Sequence, residues 1–288
     1  QQKTQPTIRI DFCMNVKWLI EKETFSENLE PLLEEIKRQG FEYKMTRYVP
    51  FEGSEQFLTL FAPEDCVVVY GSLQLARQIQ KVAKWVPGVY CNLEKYACTS
   101  YYPAFGEDLL NYNYIMLPFG ELLRRKEFLF KVLGNSRCLF VRPSSGFKLF
   151  TGKVVKYEEW EREIEKFGFY DIEPNQVVVV AEPQNLAEEW RFVVVDGVVV
   201  SGSQYHNKYG SKLDSKVPKE ALEYAKEAAK KYSPDRVWTL DICRTSDYGE
   251  YFVLEIGCFS SAGLYVCPME PIVQEVSRIA HEEWLEHM

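Results

Sequence analysis

The stretch Arg191-Phe-Val-Val-Val-Asp-Gly-Val-Val-Val200 constrains the fold more than any other part of the chain. Two apolar, β-branched runs meet at Asp196-Gly197, the dipeptide that best tolerates the positive φ angles of a two-residue hairpin turn. An antiparallel pair is therefore expected there. From residue 137 onward further strand-like runs follow, at 137–142, 152–155, 177–181, 191–195, 197–202, 236–242 and 251–256, with helical stretches at 157–167, 218–231 and 270–286. Such a region reads as α+β with antiparallel sheet. The first hundred residues are organised differently. Strands are expected at 7–15, 42–48, 66–70 and 88–92, with helical periodicity at 28–39 and 73–84. That β-α-β-β-α-β order predicts a small α/β domain with a largely parallel sheet. The mixture of Pro, Gly, Tyr and Asn over 98–113 marks the boundary, and a helix is expected at 121–133.

Composition narrows the function. The net charge of −8 and the lack of a Lys/Arg stripe with interleaved aromatics argue against general nucleic-acid binding, which draws on counterion release. A polyanionic ligand would need a local pocket of a few well-placed cations. Eight cysteines without C-x-x-C spacing and only three histidines argue against a zinc site. Most of the cysteines sit in apolar runs, as small buried hydrophobes of a reducing compartment do. With no apolar run of membrane-spanning length and no secretory leader pattern, the expected location is cytoplasmic, away from any membrane.

Four places can carry chemistry. Gly71-Ser72 follows an apolar strand and precedes a helix, so it is either an anion-binding N-terminus or a tight βα turn. Residues 140–155 form a strand ending in Arg142-Pro143, then a loop with Ser144, Gly146, Lys148, Thr151 and Gly152. Glycines let backbone N–H groups approach an anion, and Arg and Lys supply cations; the bland alternative is a solvated hairpin loop. Residues 177–183 run from a buried strand into Glu182-Pro183, and Glu189 and Arg191 then share one strand face. Arg191 lies in an apolar strand, so it either pairs with a core carboxylate or contacts a ligand phosphate. Finally, Asp241 and Glu255 each stand alone in an apolar strand, across a turn containing Asp247 and Gly249. A hairpin would bring them together, where a Mg²⁺ would offset their repulsion; otherwise one is protonated or Arg-paired.

In this order the parts resemble the ATP-grasp superfamily. Arg142-Pro143 with Lys148-Leu-Phe-Thr-Gly152 resembles its phosphate-covering loop, in particular that of the largely bacterial and phage clade named for one arginine and two lysines. Glu189-Trp-Arg-Phe192 with Asp196-Gly197 and Ser203-Gln-Tyr205 is similar to the clade's central hairpin, and 254–265 to its closing metal motif. The resemblance implies an α/β, pre-ATP-grasp-like domain over residues 1–112, then a two-lobed ATP-grasp fold with antiparallel sheets over 113–288. It implies an ATP- and Mg-dependent carboxylate–amine ligase, forming a peptide or amide bond through an acyl phosphate. Arg142, Lys148 and Arg191 would be catalytic. Lys131, Arg142, Lys148, Thr151, Ala181, Glu182, Glu189 and Arg191 would hold ATP, with Lys126 as the alternative to Lys131. Asp241 and Glu255 would bind Mg²⁺. The partners implied are a small-molecule or peptide carboxylate and an amine, with a homodimer left open. One departure stands out: Gly257 occupies the place of the usual Asn of Glu-x-Asn. That keeps an inactive or regulatory ATP-binding relative in view. Substrate selection is expected from the N-terminal domain and a polar, mobile loop at 205–215.

Overall fold

The computed structural model describes residues 15–49, 56–147, 149–168 and 172–288. Its first sheet is built from strands β1 (Val16–Glu21), β2 (Glu42–Thr46), β3 (Cys66–Tyr70) and β4 (Val86–Gly88), in the order β2-β1-β3-β4 and parallel throughout. Helices α1 (Ser26–Arg38) and α2 (Leu73–Val82) connect them. The parallel α/β expectation is met. The strand expected at 7–15 lies outside the described residues, apart from Asn15. Strand β1 escapes a search for alternation because it is central and buried on both faces. One face packs Trp18, Ile20 and Val68 on α1, and the other packs Leu19, Val67 and Val69 on α2.

The Gly71-Ser72 corner is a tight turn and helix cap. Ser72 Oγ accepts from Leu75 N at 3.2 Å, and the Glu21 carboxylate accepts from Ser72 N. A Cβ on Gly71 would stand 2.6 Å from Glu21 Cβ. The chain's own carboxylate thus occupies the position an anionic ligand would take.

Helix α3 (Cys98–Phe105) leads to the second sheet: β5 (Tyr114–Pro118), β6 (Cys138–Pro143), β7 (Lys153–Lys156) and β8 (Val177–Ala181), antiparallel, in the order β5-β8-β6-β7. Helices α4 (Lys126–Leu133) and α5 (Trp160–Phe167) cover one face, enclosing Leu139, Val141, Val178 and Val180. The third sheet contains β9 (Leu186–Val195), β10 (Val198–Asn207), β11 (Gly210–Asp214), β12 (Val237–Thr245) and β13 (Tyr251–Cys258), in the antiparallel order β11-β10-β9-β12-β13. Asp196 and Gly197 have φ of +47° and +76°, as the expected hairpin requires. Trp190, Phe192, Trp238 and Leu240 face α6 (Lys219–Ala229), whereas Val193, Val195 and Val237 face α7 (Met269–His287). No helix among the described residues is long and apolar enough to cross a membrane.

One element is not expected and one expectation needs correction. Residues 98–113, where the boundary is expected, contain helix α3, whose Tyr101, Tyr102 and Phe105 are buried; its Pro103 and aromatics disguise the helical pattern. Most of the loop expected at 205–215 is a β10–β11 hairpin on the edge of the sheet, whose largely polar strands give little apolar signal.

The first sheet is tied to the third through one buried amide. Asn28 Nδ2 donates to Tyr70 Oη at 3.1 Å, and Asn28 Oδ1 accepts from Leu264 N at 2.9 Å. Tyr70 Oη in turn donates to Ala262 O at 2.8 Å. These bonds fix the 262–265 turn. Asn28→Ala would leave a buried N–H and hydroxyl short of partners, at about 1–3 kcal/mol. A lower midpoint in thermal unfolding is the expected result; an unchanged midpoint would show that the turn does not depend on this anchor.

Candidate nucleotide site between two sheets

The second and third sheets face each other across a cleft of about 380 Å³. Strand β6 and its following loop supply Phe140, Arg142, Thr151 and Gly152; the third sheet supplies Glu189, Tyr205, Leu254 and Glu255; Asn111 enters from the linker before β5. Gly152 is needed for closeness: a Cβ there would meet Phe140 Cζ at 2.7 Å. The loop therefore folds back onto β6, and its backbone rims the cleft. Arg142 Nη2 reaches Glu255 Oε2 at 3.4 Å, an ion pair between residues of two different sheets. Lys148, expected in the same loop, lies outside the described residues.

Beneath this rim is a buried charged layer. Strand pairing sets Arg191 opposite Asp241, and Asp241 opposite Glu255. The Arg191 guanidinium donates from Nε and Nη2 to the two Asp241 oxygens at 2.8 and 2.7 Å. Its Nη1 donates to Gly263 O at 2.8 Å. Asp241 is only 2% exposed. Of the two readings left open for Arg191, the core pairing is present. Burial works against the Arg191 charge, but Asp241 overrides it and holds its pKa well above the ordinary value. The guanidinium also lies 5.1 Å from the Tyr265 ring centre and 5.8 Å from that of Tyr205, and these two rings stack 4.7 Å apart at 9°.

Glu189 is placed by the same strand. It accepts from Tyr205 Oη at 2.7 Å and lies 3.3 Å from His206 Nδ1. Burial pushes its carboxyl above the usual range, while the Tyr205 hydrogen bond works the other way. Its place on the cleft lining puts an oxygen acceptor where ligand hydroxyls could reach it.

The other expected residues are placed as follows. Thr151 and Glu189 line the cleft beside Arg142. Ala181 is fully buried at the end of β8, paired with Tyr114 and Phe140, and Glu182 follows it; neither is among the described lining residues. Lys131 is exposed on α4, and Lys126 is bound to Glu161 at 2.9 Å and lies over Tyr157 at 3.9 Å; neither reaches the cleft lining. Among the described residues no group of three or more His, Cys, Asp or Glu is arranged around a metal position. Glu255 faces the cleft and suits a cation that takes its other oxygens from phosphates and water, as Mg²⁺ does. Asp241 stands beside it in register, with both oxygens already bonded to Arg191. At Gly257 the space where a side chain would start is filled: a Cβ would stand 2.7 Å from Thr239 Oγ1.

Sequence reasoning missed Asn111, which lies in the stretch read as a domain boundary. Leu110 N donates to Val253 O at 2.9 Å, which fastens the linker to β13 next to Leu254 and Glu255. Asn111 is 7% exposed and lines the cleft. Tyr205 and Tyr265 occur within the motif segments, but no local signal marks them as a stacked pair.

Two antiparallel sheets clasping a charged cleft, preceded by a parallel α/β unit, make an ATP-grasp fold. Solved structures share it over nearly the whole chain. D-cycloserine synthetase DcsG superimposes with a TM-score of 0.64 at 12% identity, covering 92% of this chain and 99% of that one. The D-alanine–D-alanine ligase of Bacillus anthracis gives 0.57 at 13% identity, covering 94% and 99%. The ATP-grasp ligase PsnB, in complex with a phosphomimetic variant of its minimal precursor, Mg and ADP, gives 0.56 at 13%, covering 93% and 99%. No curated protein matches the sequence. The sequence profile of the ATP-grasp domain, family 3 of the clade named for one arginine and two lysines, matches residues 102–276, and the chain belongs to that family.

The buried pair makes a direct prediction. Removing one partner leaves an uncompensated buried charge, at about 3–5 kcal/mol, whereas replacing both by apolar residues of similar volume is far less costly. Asp241→Leu and Arg191→Met should each lower stability strongly in denaturant titrations, and the double variant should recover much of the loss. Additive losses would mean the two side chains do not act as a pair.

Proposed function

We propose that this protein is an ATP- and Mg²⁺-dependent ligase that joins a carboxylate to an amine through an acyl phosphate. The observation that carries the reading is the Arg142–Glu255 contact across the cleft, which brings a cation from one lobe to a carboxylate of the other. Such an arrangement suits a polyphosphate bridged to a metal ion. Within an acidic chain, Arg142 is the kind of local cation such a ligand needs. The known ligases of the same fold lend support: PsnB is seen with Mg, ADP and a variant of its minimal precursor, and in another complex with a precursor peptide, and D-alanine–D-alanine ligase is named for joining two amino acids. We take residues 1–112 as the preceding α/β domain and 113–288 as the ATP-grasp domain.

In this reading the carboxylate substrate attacks the γ-phosphorus and ADP leaves. The amine then attacks the acyl carbon, phosphate is expelled and a proton is released. Mg²⁺, held through Glu255 and the phosphates, would neutralise charge on the transferring phosphoryl group. Arg142 would fix the phosphates by directed N–H bonds, and Lys148 would add a second cation. Glu189 would accept from the ribose hydroxyls. Arg191, held by Asp241 and Gly263, would present a fixed positive field behind the reacting groups rather than move toward them. Asp241 then serves the site through Arg191 as well as through its place beside Glu255. Ala181 and Glu182 would offer backbone groups at the adenine edge, and Lys131 would have to reach in from α4. The carboxylate would be a small molecule or a peptide.

A second reading rests on Gly257. With glycine in place of a metal-binding asparagine, the chain would bind the nucleotide without ligation. The two readings part on ADP release with carboxylate and amine acceptors supplied together.

The test is thermal unfolding with Mg²⁺ and a nonhydrolysable ATP analogue. Occupancy at one hundred times the dissociation constant adds about 2.7 kcal/mol of stability. A magnesium-dependent rise in midpoint is expected for the wild type, and it should be lost in Arg142→Ala and Glu255→Gln. No rise at millimolar analogue would contradict both readings. Asn111, an amide buried on the cleft wall, should contact the bound nucleotide. Asn111→Ala is expected to weaken analogue binding about tenfold, roughly 1.4 kcal/mol, in calorimetric titration. Unchanged affinity would remove it from the binding set.

A further inference from the structure

Cys91 and Cys258 are 167 positions apart in the chain, yet their sulfurs lie 2.8 Å from each other. Both are buried, at 1% and 8% exposure. Bonds that do not involve sulfur hold the segments together. Tyr90 N donates to Ser260 Oγ at 2.9 Å, Ser260 N to Tyr90 O at 3.4 Å, and Gly71 N to Ser260 O at 2.8 Å. The two thiols are therefore brought together by the packing of the first sheet against the segment that leaves β13. Among the described cysteines, no other pair of sulfurs makes such a contact.

We propose that Cys91 and Cys258 are a dithiol that a peroxide converts to a disulfide, tying the segment that follows β4 covalently to the end of β13 beside the cleft. A disulfide closes at about 2.05 Å, so the two sulfurs need only a small further approach. Cys258 is the more exposed of the two, and its sulfur also lies 2.8 Å from Ser261 Oγ, so it reacts first. Its sulfur, having given up the thiol proton, attacks one peroxide oxygen. The O–O bond breaks, one water leaves, and a sulfenic acid remains. Cys91 then attacks that sulfur, the S–S bond forms, the S–O bond breaks and a second water leaves. Two thiols and one hydrogen peroxide give one disulfide and two waters, with two electrons passing from sulfur to oxygen. The neighbouring thiol, and then burial, hold the Cys91 pKa far above the usual value; because the thiolate is the nucleophile, the reaction is faster as pH rises. The neutral product suits the apolar surroundings. The cross-link leads directly into the turn whose Gly263 carbonyl accepts from Arg191, so the oxidised protein has a stiffer site floor.

The inference does not depend on the ligase reading. The test treats the full, folded chain with hydrogen peroxide, alkylates the remaining thiols and maps peptides by mass spectrometry without reductant. The expected product is a linked pair containing Cys91 and Cys258, two hydrogens lighter than the separate peptides. It should be absent from Cys91→Ser and from Cys91→Ala, and the oxidised wild type should melt at a higher temperature until a reductant is added. Recovery of both residues as alkylated thiols, or as sulfinic or sulfonic acids with no linked peptide, would overturn the proposal. The wild-type map decides the matter even if neither variant folds.

Discussion

The Arg191–Asp241 pair is the constraint around which the rest of the site is arranged. Taking both charges out of water is costly, and the pair survives because its geometry is bidentate and the third guanidinium nitrogen is also satisfied. Strand pairing of β9 with β12 supplies the register. The Gly263 carbonyl supplies the last acceptor, in a turn that Asn28 and Tyr70 hold at Leu264 and Ala262. An arginine in the third sheet is therefore positioned by the parallel unit that precedes it. This gives the N-terminal α/β unit a direct part in building the cleft. It also explains why one sheet face can be apolar against α7 at one end and charged at the other.

Above that layer, the cleft works by bringing opposite charges from separate lobes to a common opening. Arg142 comes from β6, Glu255 from β13 and Glu189 from β9. Arg142 is the cation among these three, and an acidic chain needs such a local positive charge to attract an anion that its overall field repels. The stacked Tyr205 and Tyr265 rings stand beside Arg191 and give it an aromatic wall. Near neighbours that only the fold unites, such as Asn111 and Leu254, complete the lining.

What is legible in the sequence is local. Asp196-Gly197 dictates its own turn, and two apolar strands joined by a short turn dictate that Asp241 faces Glu255. Arg191 can be read only as far as two alternatives, since its partner is set by the pairing of strands fifty residues apart. Gly257 is visible as a departure from the usual metal motif, but its packing against Thr239 needs the β12–β13 register. Strand β1 is hard to place because burial on both faces removes the alternation that marks a strand. The β10–β11 hairpin and α3 escape notice for the opposite reason: polar edge strands and a Pro-containing helix resemble loops until their packing is known. The lysines of α4 are suggested by position alone, and their side chains turn to Glu161 or to solvent.

The most direct test of a nucleotide clasped between the two antiparallel sheets is hydrogen–deuterium exchange with and without Mg²⁺ and a nonhydrolysable ATP analogue. The account predicts slower exchange on both sides of the cleft, in peptides covering 140–152 from one lobe and 186–191 and 251–258 from the other. Protection confined to one lobe, or appearing only in the N-terminal sheet, would contradict it.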